Sequence, residues 1–212
     1  MSAAGLLALF AAAQAAPAPA PASGAACELH LWPAERLEGI GFYLYNGLIR
    51  GRATDKEIEG AMDDLLSPAS QAAALRDAEV VEGLGLPAGT RLVRHAEPLD
   101  PKTATKRKAR HAPSASPCYA ELIMLRHMLV EDIVWGDRFL STFAFRDFGG
   151  GAQAVRTLKG TGGNKLTVLT QAEAARPQDA PELVAAALRA NFSEYARNAR
   201  RKAGSGATRQ AR

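Results

Sequence analysis

Hydrophobic residues in this chain alternate with polar ones in some segments and recur at helical spacing in others. Near the start, Leu29 and Leu31 alternate with polar or aromatic neighbours until Pro33 ends the run. This period of two predicts a first strand over the run CELHLW, residues 27–32. Residues 39–52 are apolar and glycine-rich without a clear period, so they are compatible with a strand and turn or with an irregular loop.

Three segments follow the helical period of 3.6 residues. The first spans residues 54–66, and the second is opened by Ser67 or Ser70 and ends at Gly83. The third, over residues 181–202, places alanine, leucine and aromatic side chains along one stripe. This stripe predicts a long amphipathic C-terminal helix.

The strongest sheet signal is the run CYAELIMLRHMLVED, whose mostly apolar residues predict a central strand covered on both faces. The run RFLSTFAFRDF follows, with its phenylalanines on one face. Shorter strands are predicted at residues 90–97 and on either side of a GTGGN turn. The order of elements predicts an α+β fold, a mixed α/β sandwich in which helices pack on a sheet of three to five strands.

The amino-terminal residues have the composition of a leader. Residues 1–15 combine a short apolar core with an end of the A-x-A type, which is the layout of a signal peptide. An Ala/Pro-rich spacer follows over residues 16–26, and a single domain is predicted over residues 27–196. No run reaches the ~20 apolar residues that a membrane-spanning helix needs. The leader predicts a periplasmic or secreted protein of a Gram-negative bacterium.

The chain has two cysteines, Cys27 and Cys118, each at the start of a predicted strand. In an oxidising compartment such a pair is most simply a disulfide. Acylation of Cys27 is an alternative, although the residues before it lack the leucine of a lipoprotein signal. Zinc binding by both cysteines with His30 and His111 is a further alternative, disfavoured because strand positions i and i+3 point to opposite faces.

Basic residues are concentrated in two segments, a loop at residues 98–117 and a tail at residues 197–212. The rest of the chain holds fewer basic than acidic residues. The loop has no aromatic residue and is predicted to be solvated, and the tail is predicted to be disordered. Neither segment interleaves aromatics as nucleic-acid modules do, so an anionic envelope surface or envelope protein is the expected partner. The predicted contact residues are Lys106, Arg107, Lys108, Arg110, Arg200, Arg201 and Lys202.

Motifs that would define a catalytic or phosphate site are weak. The chain has no Gly-x-Ser-x-Gly, and the segment KGTGGNK lacks the spacing of a phosphate-binding loop, so it is predicted to be a hairpin turn. Glu131, Asp132 and Asp137 cluster at a predicted hairpin, where a solvated turn explains them without acid–base chemistry. His127, in an apolar strand, is expected to be half-buried and hydrogen-bonded. No catalytic residue, metal or cofactor is predicted.

The element order, with CYAELIMLRHMLVED and RFLSTFAFRDFGGG, resembles the small α/β domain of bacterial envelope accessory lipoproteins. Examples are the curli-secretion lipoprotein and the lipoproteins that activate penicillin-binding proteins. The resemblance covers roughly residues 27–195 and includes a turn at Arg146-Asp147-Phe148-Gly149. It implies a domain that works by binding other envelope components.

These observations lead to three functional hypotheses. The first is an exported cell-envelope accessory protein that acts by interaction and has no catalytic activity. The second is an exported hydrolase of cell-wall or glycan substrates that uses the carboxylates near residues 131–137. The third is a cytoplasmic, nucleic-acid-associated protein that uses the basic loop and tail.

Overall fold

The computed structural model describes residues 26–35, 37–44, 47–50, 65–132, 138–165 and 180–210. The described strands are β1 (Glu28–Trp32), β2 (Leu37–Leu44), β3 (Gly47–Arg50), β4 (Arg91–Arg94), β5 (Tyr119–Asp132), β6 (Arg138–Gly149) and β7 (Arg156–Lys165). The described helices are α1 (Pro68–Ala74), α2 (Asp77–Leu84), α3 (Pro101–Lys106) and α4 (Ala180–Gln210). The fold is α+β, as the sequence predicts. The leader, the spacer and most of the helix predicted at 54–66 lie outside these residues.

A single mixed sheet contains the described strands, with β5 near its centre. One edge of β5 pairs with β1 near its start and with β2 near its end, both in parallel orientation. Outside this pair, β4 adds to β1 in parallel and β3 adds to β2 in antiparallel orientation. The other edge of β5 pairs with β6, which pairs with β7, both antiparallel. The seven described strands therefore fill five positions across the sheet, because β1 and β2 follow one another along the same edge of β5, and β4 and β3 share the position outside them.

Helices α1, α2 and α4 cover one face of the sheet, called here the helix face. Ser67 caps α1 by accepting a hydrogen bond from the backbone N–H of Ser70, and Pro68 occupies the first turn, where its missing N–H costs nothing. Gly85 ends α2 in the left-handed conformation. The main core lies under these helices and includes Leu29, Leu31, Leu75, Val80, Leu122, Phe143, Phe145, Leu188, Phe192 and Tyr195.

The basic loop covers part of the opposite face, called here the loop face. Helix α3 lies within this loop, and Asp100 caps it by accepting from the backbone N–H of Thr103. Ala104 of α3 is buried, and it belongs to a second apolar cluster with Trp32, Ile123, Leu125 and Ala144. The predicted solvated loop is thus a packed layer of the domain, although its lysines remain exposed.

The glycine-rich segment KGTGGNK is not a hairpin turn, and that prediction is wrong. Strand β7 runs through it without interruption and keeps its register with β6 from Arg156 to Lys165. The glycines are needed for packing, because a Cβ on Gly162 would lie 1.9 Å from the backbone oxygen of Asn191. Helix α4 can therefore approach the backbone of β7 only where no side chain intervenes.

Helix α4 also continues past residue 197, where a disordered tail was expected to begin. It extends to Gln210, and Ala199 is still buried against the domain. The buried stripe explains the continuation, since Phe192, Tyr195, Ala196 and Ala199 lie at helical spacing on the side that faces the sheet.

Candidate functional site

Cys27 and Cys118 form a disulfide, with their Cα atoms 4.7 Å apart. The bond joins the residues that directly precede β1 and β5, and these strands are parallel neighbours from Glu28 opposite Tyr119 onwards. The backbone confirms the match, because the N–H of Glu28 donates to the carbonyl of Cys118 at 2.9 Å. The pairing excludes Cys27 and Cys118 as zinc ligands or acylation sites in this form of the protein.

A chain of polar side chains begins beside the disulfide on the loop face. Glu28 accepts hydrogen bonds from Ser114 at 2.5 Å and from Nε2 of His30 at 3.1 Å, and it also pairs with Arg91. Nδ1 of His30 contacts Nε2 of His95 at 2.9 Å. The Ser114 hydroxyl, followed by His30, lowers the pKa of Glu28 to about 2. Burial, with the neighbouring His30, lowers the pKa of His95.

Aromatic rings enclose this chain. The indole of Trp32 stacks on His95 with centroids 4.1 Å apart, and the ring of Tyr119 lies 4.6 Å from that of His30. Burial raises the pKa of Tyr119, and the carboxylate of Glu121 adds to this effect. His30 is buried, whereas His95 and Glu28 are half-buried, so the middle of the chain is shielded from solvent and both of its ends are in contact with it.

A second polar group fixes the basic loop to the sheet. The buried carboxylate of Glu121 accepts from the backbone N–H of His111 at 2.6 Å and from the hydroxyl of Tyr119 at 2.9 Å, and it pairs with Arg146 at 3.1 Å. Arg146 in turn donates to the carbonyls of three consecutive loop residues, Arg107, Lys108 and Ala109. The segment Arg146–Gly149, predicted to be a turn, is the end of β6 and anchors this loop.

The predicted anion-contact residues of the loop differ in their roles. Lys106, Arg107 and Lys108 have exposed side chains. Arg110 is half-buried, because its guanidinium lies 4.7 Å from the centre of the Tyr119 ring and donates to the carbonyl of Gly151 at 2.8 Å. Arg110 therefore stabilises the loop, and the other three remain available for contacts with a partner.

The remaining predicted contacts, Arg200, Arg201 and Lys202, are exposed on α4. Arg201 bonds to the side chain of Asn198 on the same helix. Because α4 packs on the helix face and the loop packs on the opposite face, the structure does not bring the two basic segments together.

A buried polar network lies on the helix face around His127. The Gln71 amide nitrogen donates to two backbone carbonyls, which leaves its oxygen to accept from Nε2 of His127 at 3.1 Å. Nδ1 of His127 then accepts from Ser141 at 3.0 Å, and Ser141 accepts from Asn191. Burial lowers the pKa of His127 to about 3. His127 is fully buried rather than half-buried, and each of its nitrogens has a partner.

The edge of the sheet at β7 forms a groove with α4. The groove has a volume of about 420 Å³ and is lined by Gly160, Thr161, Asn198, Arg201 and Lys202. Further along the same two elements, the carboxylate of Glu194 accepts from the backbone N–H of Gly163 at 2.8 Å. Among the described strands, β7 pairs only with β6, and none of them lies beside its other edge.

Other predicted features fall outside the described part of the chain or find no support there. The side chains of Glu131, Asp132 and Asp137, the carboxylates of the hydrolase hypothesis, are not among the described groups. Within the described residues, no cluster of His, Cys, Asp or Glu has the geometry of a metal site. The helices of this part include none that is long and apolar enough to cross a membrane.

Sequence reasoning missed the Glu28–His30–His95 chain and the Glu121–Arg146 anchor. Both join residues that are distant along the chain, with His30 and His95 separated by 65 positions. One signal was present: Glu28, His30 and Glu121 are polar residues at alternate positions of otherwise apolar strands. A polar residue in such a position needs a buried partner, which the sequence could not identify.

Comparison with known proteins does not assign a family. The chain matches no protein-family model and none of the curated proteins searched. Among solved structures it is similar to a hypothetical protein from Chlamydia trachomatis, with 10% identity, a TM-score of 0.34, and coverage of 82% of this chain and 95% of that one. Another match is described only as an uncharacterized protein, with 11% identity, a TM-score of 0.31, and coverage of 82% and 91%.

Proposed function

We propose that this chain is an exported cell-envelope protein that acts by binding another envelope component. The observation that carries the proposal is the Cys27–Cys118 disulfide, which joins the starts of β1 and β5. Disulfides persist in oxidising compartments such as the bacterial periplasm and are rare in the cytosol. The signal-like residues 1–15 support the same compartment.

The surface of the domain supports an interaction role. Exposed cations lie on the loop at Lys106, Arg107 and Lys108, and a separate basic groove lies between β7 and α4. Charged groups on an exposed surface attract partners of opposite charge and orient them before contact. The envelope supplies anionic partners in both lipid headgroups and acidic protein segments.

Mass spectrometry of the native protein tests the export part of the proposal. The full chain with a carboxyl-terminal tag is produced in a Gram-negative host, and the periplasmic and cytosolic fractions are purified separately. We expect a periplasmic species that lacks the leader and has lost the two thiol hydrogens, without added lipid. A control variant, Leu6→Arg with Leu9→Arg, interrupts the apolar core of the leader and should remain uncleaved in the cytosol.

Two other results of this experiment would change the proposal. An uncleaved chain with two free thiols, recovered from the cytosol in both the wild type and the leader variant, would overturn the proposal. A mass increase on Cys27 that matches acylation would keep the compartment but replace the disulfide with a membrane anchor.

A further inference from the structure

We propose that the outer edge of β7, beside which no described strand lies, binds an extended acidic segment of a partner protein, which adds to the sheet as a further strand. The inference rests on the proposed interaction function and names the class of partner. In strand addition, backbone hydrogen bonds supply affinity, while side chains at alternate positions supply specificity.

The direction of the β7 backbone shows which N–H and C=O groups point to the outer edge, where an added strand would pair. The N–H of Gly163 points away from β6, because it donates to Glu194 of α4. Backbone groups alternate in direction along an antiparallel strand, and the register of β7 with β6 has no shift from Arg156 to Lys165. The N–H and C=O groups of Thr161 and Lys159 therefore also point to the outer edge.

Strand β7 lacks two of the features that protect exposed edges, although it carries the charged residue Lys159. It is 10 residues long, and it contains neither a proline nor a bulge. The opposite edge is different, because β4 has only 4 residues and Arg94 at its end is bonded to α1 and α2. An edge of this length, without proline or bulge, is suited to pairing with another strand.

The charges beside this edge indicate an acidic partner. Lys159 has an exposed side chain on β7, and Arg201 lines the groove on the α4 side. A partner strand that pairs through its backbone and carries carboxylates at alternate positions would bring one of them beside Lys159.

A second copy of this chain fits the edge less well. Antiparallel pairing of β7 with itself about residues 160–161 would place Arg156 opposite Lys165. Parallel pairing in register would place Lys159 beside the same residue of the other copy. Like charges that face each other across a strand pair are destabilising, so the charges favour a partner of opposite sign.

Fluorescence anisotropy with a labelled probe peptide tests the proposal on the purified, disulfide-bonded protein. The probe is a short capped peptide that alternates glutamate with valine. Two matched peptides serve as controls, one with lysine in place of glutamate and one N-methylated at alternate residues, which cannot complete a ladder. We expect the acidic peptide to bind at least about tenfold more tightly than either control.

Protein variants locate the binding site. Thr161→Pro removes an outward N–H that β6 does not use, and we expect a loss of affinity of about tenfold or more. Thr161→Val keeps the backbone donor and should bind within about twofold of the wild type. Lys159→Glu with Arg201→Glu should reverse the preference toward the lysine peptide without changing the fold measured by circular dichroism.

Each contrary result overturns a defined part of the inference. Equal binding of the N-methylated peptide would exclude strand addition, and equal binding of the lysine peptide would exclude the acidic partner. A dimer that is abolished by Thr161→Pro in sedimentation would make a second copy the occupant. None of these results changes the outcome of the export experiment, so the two proposals fail independently.

Discussion

The carboxylate of Glu121 and the guanidinium of Arg146 face each other across β5 and β6 at 3.1 Å, with exposed side-chain fractions of 0% and 5%. The two residues also bind the basic loop, through the N–H of His111 and through three successive carbonyls. Because two ions are removed from water here, their mutual attraction is offset by desolvation, and the main effect of the pair is to hold the loop in one position.

Removing one member of this pair should therefore be costly. We expect Glu121→Gln to lower the free energy of unfolding by about 3–5 kcal/mol, because it leaves the cation of Arg146 buried without a counter-charge. Trypsin should also cleave faster after Arg107 and Lys108 once the loop is released. Urea denaturation and timed proteolysis measure the two effects.

The ion pair Arg94–Asp77 provides a control, since both side chains are at least one-third exposed, at 34% and 59%. We expect Asp77→Asn to cost less than about 1 kcal/mol and to leave the loop protected. If Glu121→Gln costs no more than Asp77→Asn, the anchoring role of the buried pair is wrong.

The disulfide should contribute strongly to stability. It closes a segment with a sequence separation of 91, and the chain-entropy model predicts about 4.6 kcal/mol for a loop of this length. We expect Cys27→Ser with Cys118→Ser to unfold at lower urea concentration by this amount. A reducing agent should destabilise the wild type and leave the stability of the double variant unchanged. If the reducing agent lowered the stability of both proteins equally, the assignment of the Cys27–Cys118 disulfide would be contradicted.

The buried His127 should make stability depend on pH. Its pKa is lowered by burial from 6.5 to about 3, so between these values the unfolded chain takes up a proton that the folded protein excludes. The histidine therefore destabilises the fold as pH falls from 6.5 toward 3, by up to about 1.4 kcal/mol per pH unit. Above pH 6.5 it contributes no slope.

His127→Gln tests this dependence, because the amide can donate to Gln71 and accept from Ser141 but does not titrate. We expect the variant to lose stability less steeply than the wild type between pH 6.5 and 3 in urea titrations. His95→Gln serves as the comparison, since His95 is only half-buried and should contribute a smaller slope. Identical pH profiles for wild type and His127→Gln would show that the histidine does not titrate in this way.

The contact of α4 with β7 should not tolerate a side chain at Gly162. A Cβ there would lie 1.9 Å from the backbone oxygen of Asn191, and backbone on both sides cannot move away easily. We expect Gly162→Ala to destabilise by about 3 kcal/mol. Thermal denaturation followed by circular dichroism measures the loss.

The neighbouring residue gives the matched control. A Cβ on Gly163 would meet the end of the Leu140 side chain, at 2.3 Å from Cδ2, and a leucine can change its rotamer. We expect Gly163→Ala to cost roughly 1 kcal/mol. Similar losses for the two variants would show that α4 does not lie directly on β7.

The sequence predicted the α+β class, the central strand and the long carboxyl-terminal helix because their signals are local. Alternation places Leu29 and Leu31 on one side of a strand, and the spacing of Phe192, Tyr195 and Ala199 defines one side of a helix. The cap at Ser67 is equally local. The disulfide needed only two cysteines at the starts of two strands, together with an expected oxidising compartment.

Two predictions went wrong where local composition and tertiary packing disagree. Glycines at residues 160–163 have the composition of a turn, yet they form a strand because α4 packs on their backbone. The loop at 98–117 has the composition of a solvated segment, yet it packs on the sheet because Arg146 binds its carbonyls. In each case the deciding partner lies far along the chain, 39 positions away for Arg146 and Arg107.

The sequence by itself therefore predicted most of the elements of this protein and their order and, given an oxidising compartment, favoured the pairing of its two cysteines. Tertiary structure alone decided which polar residues meet, as in the contacts of Glu121 with Arg146 and of His30 with His95. It also decided which edge of the sheet has no neighbouring strand among those described. The physical reason is that periodicity reports the side on which a residue is buried, whereas its partner depends on how distant strands and helices pack.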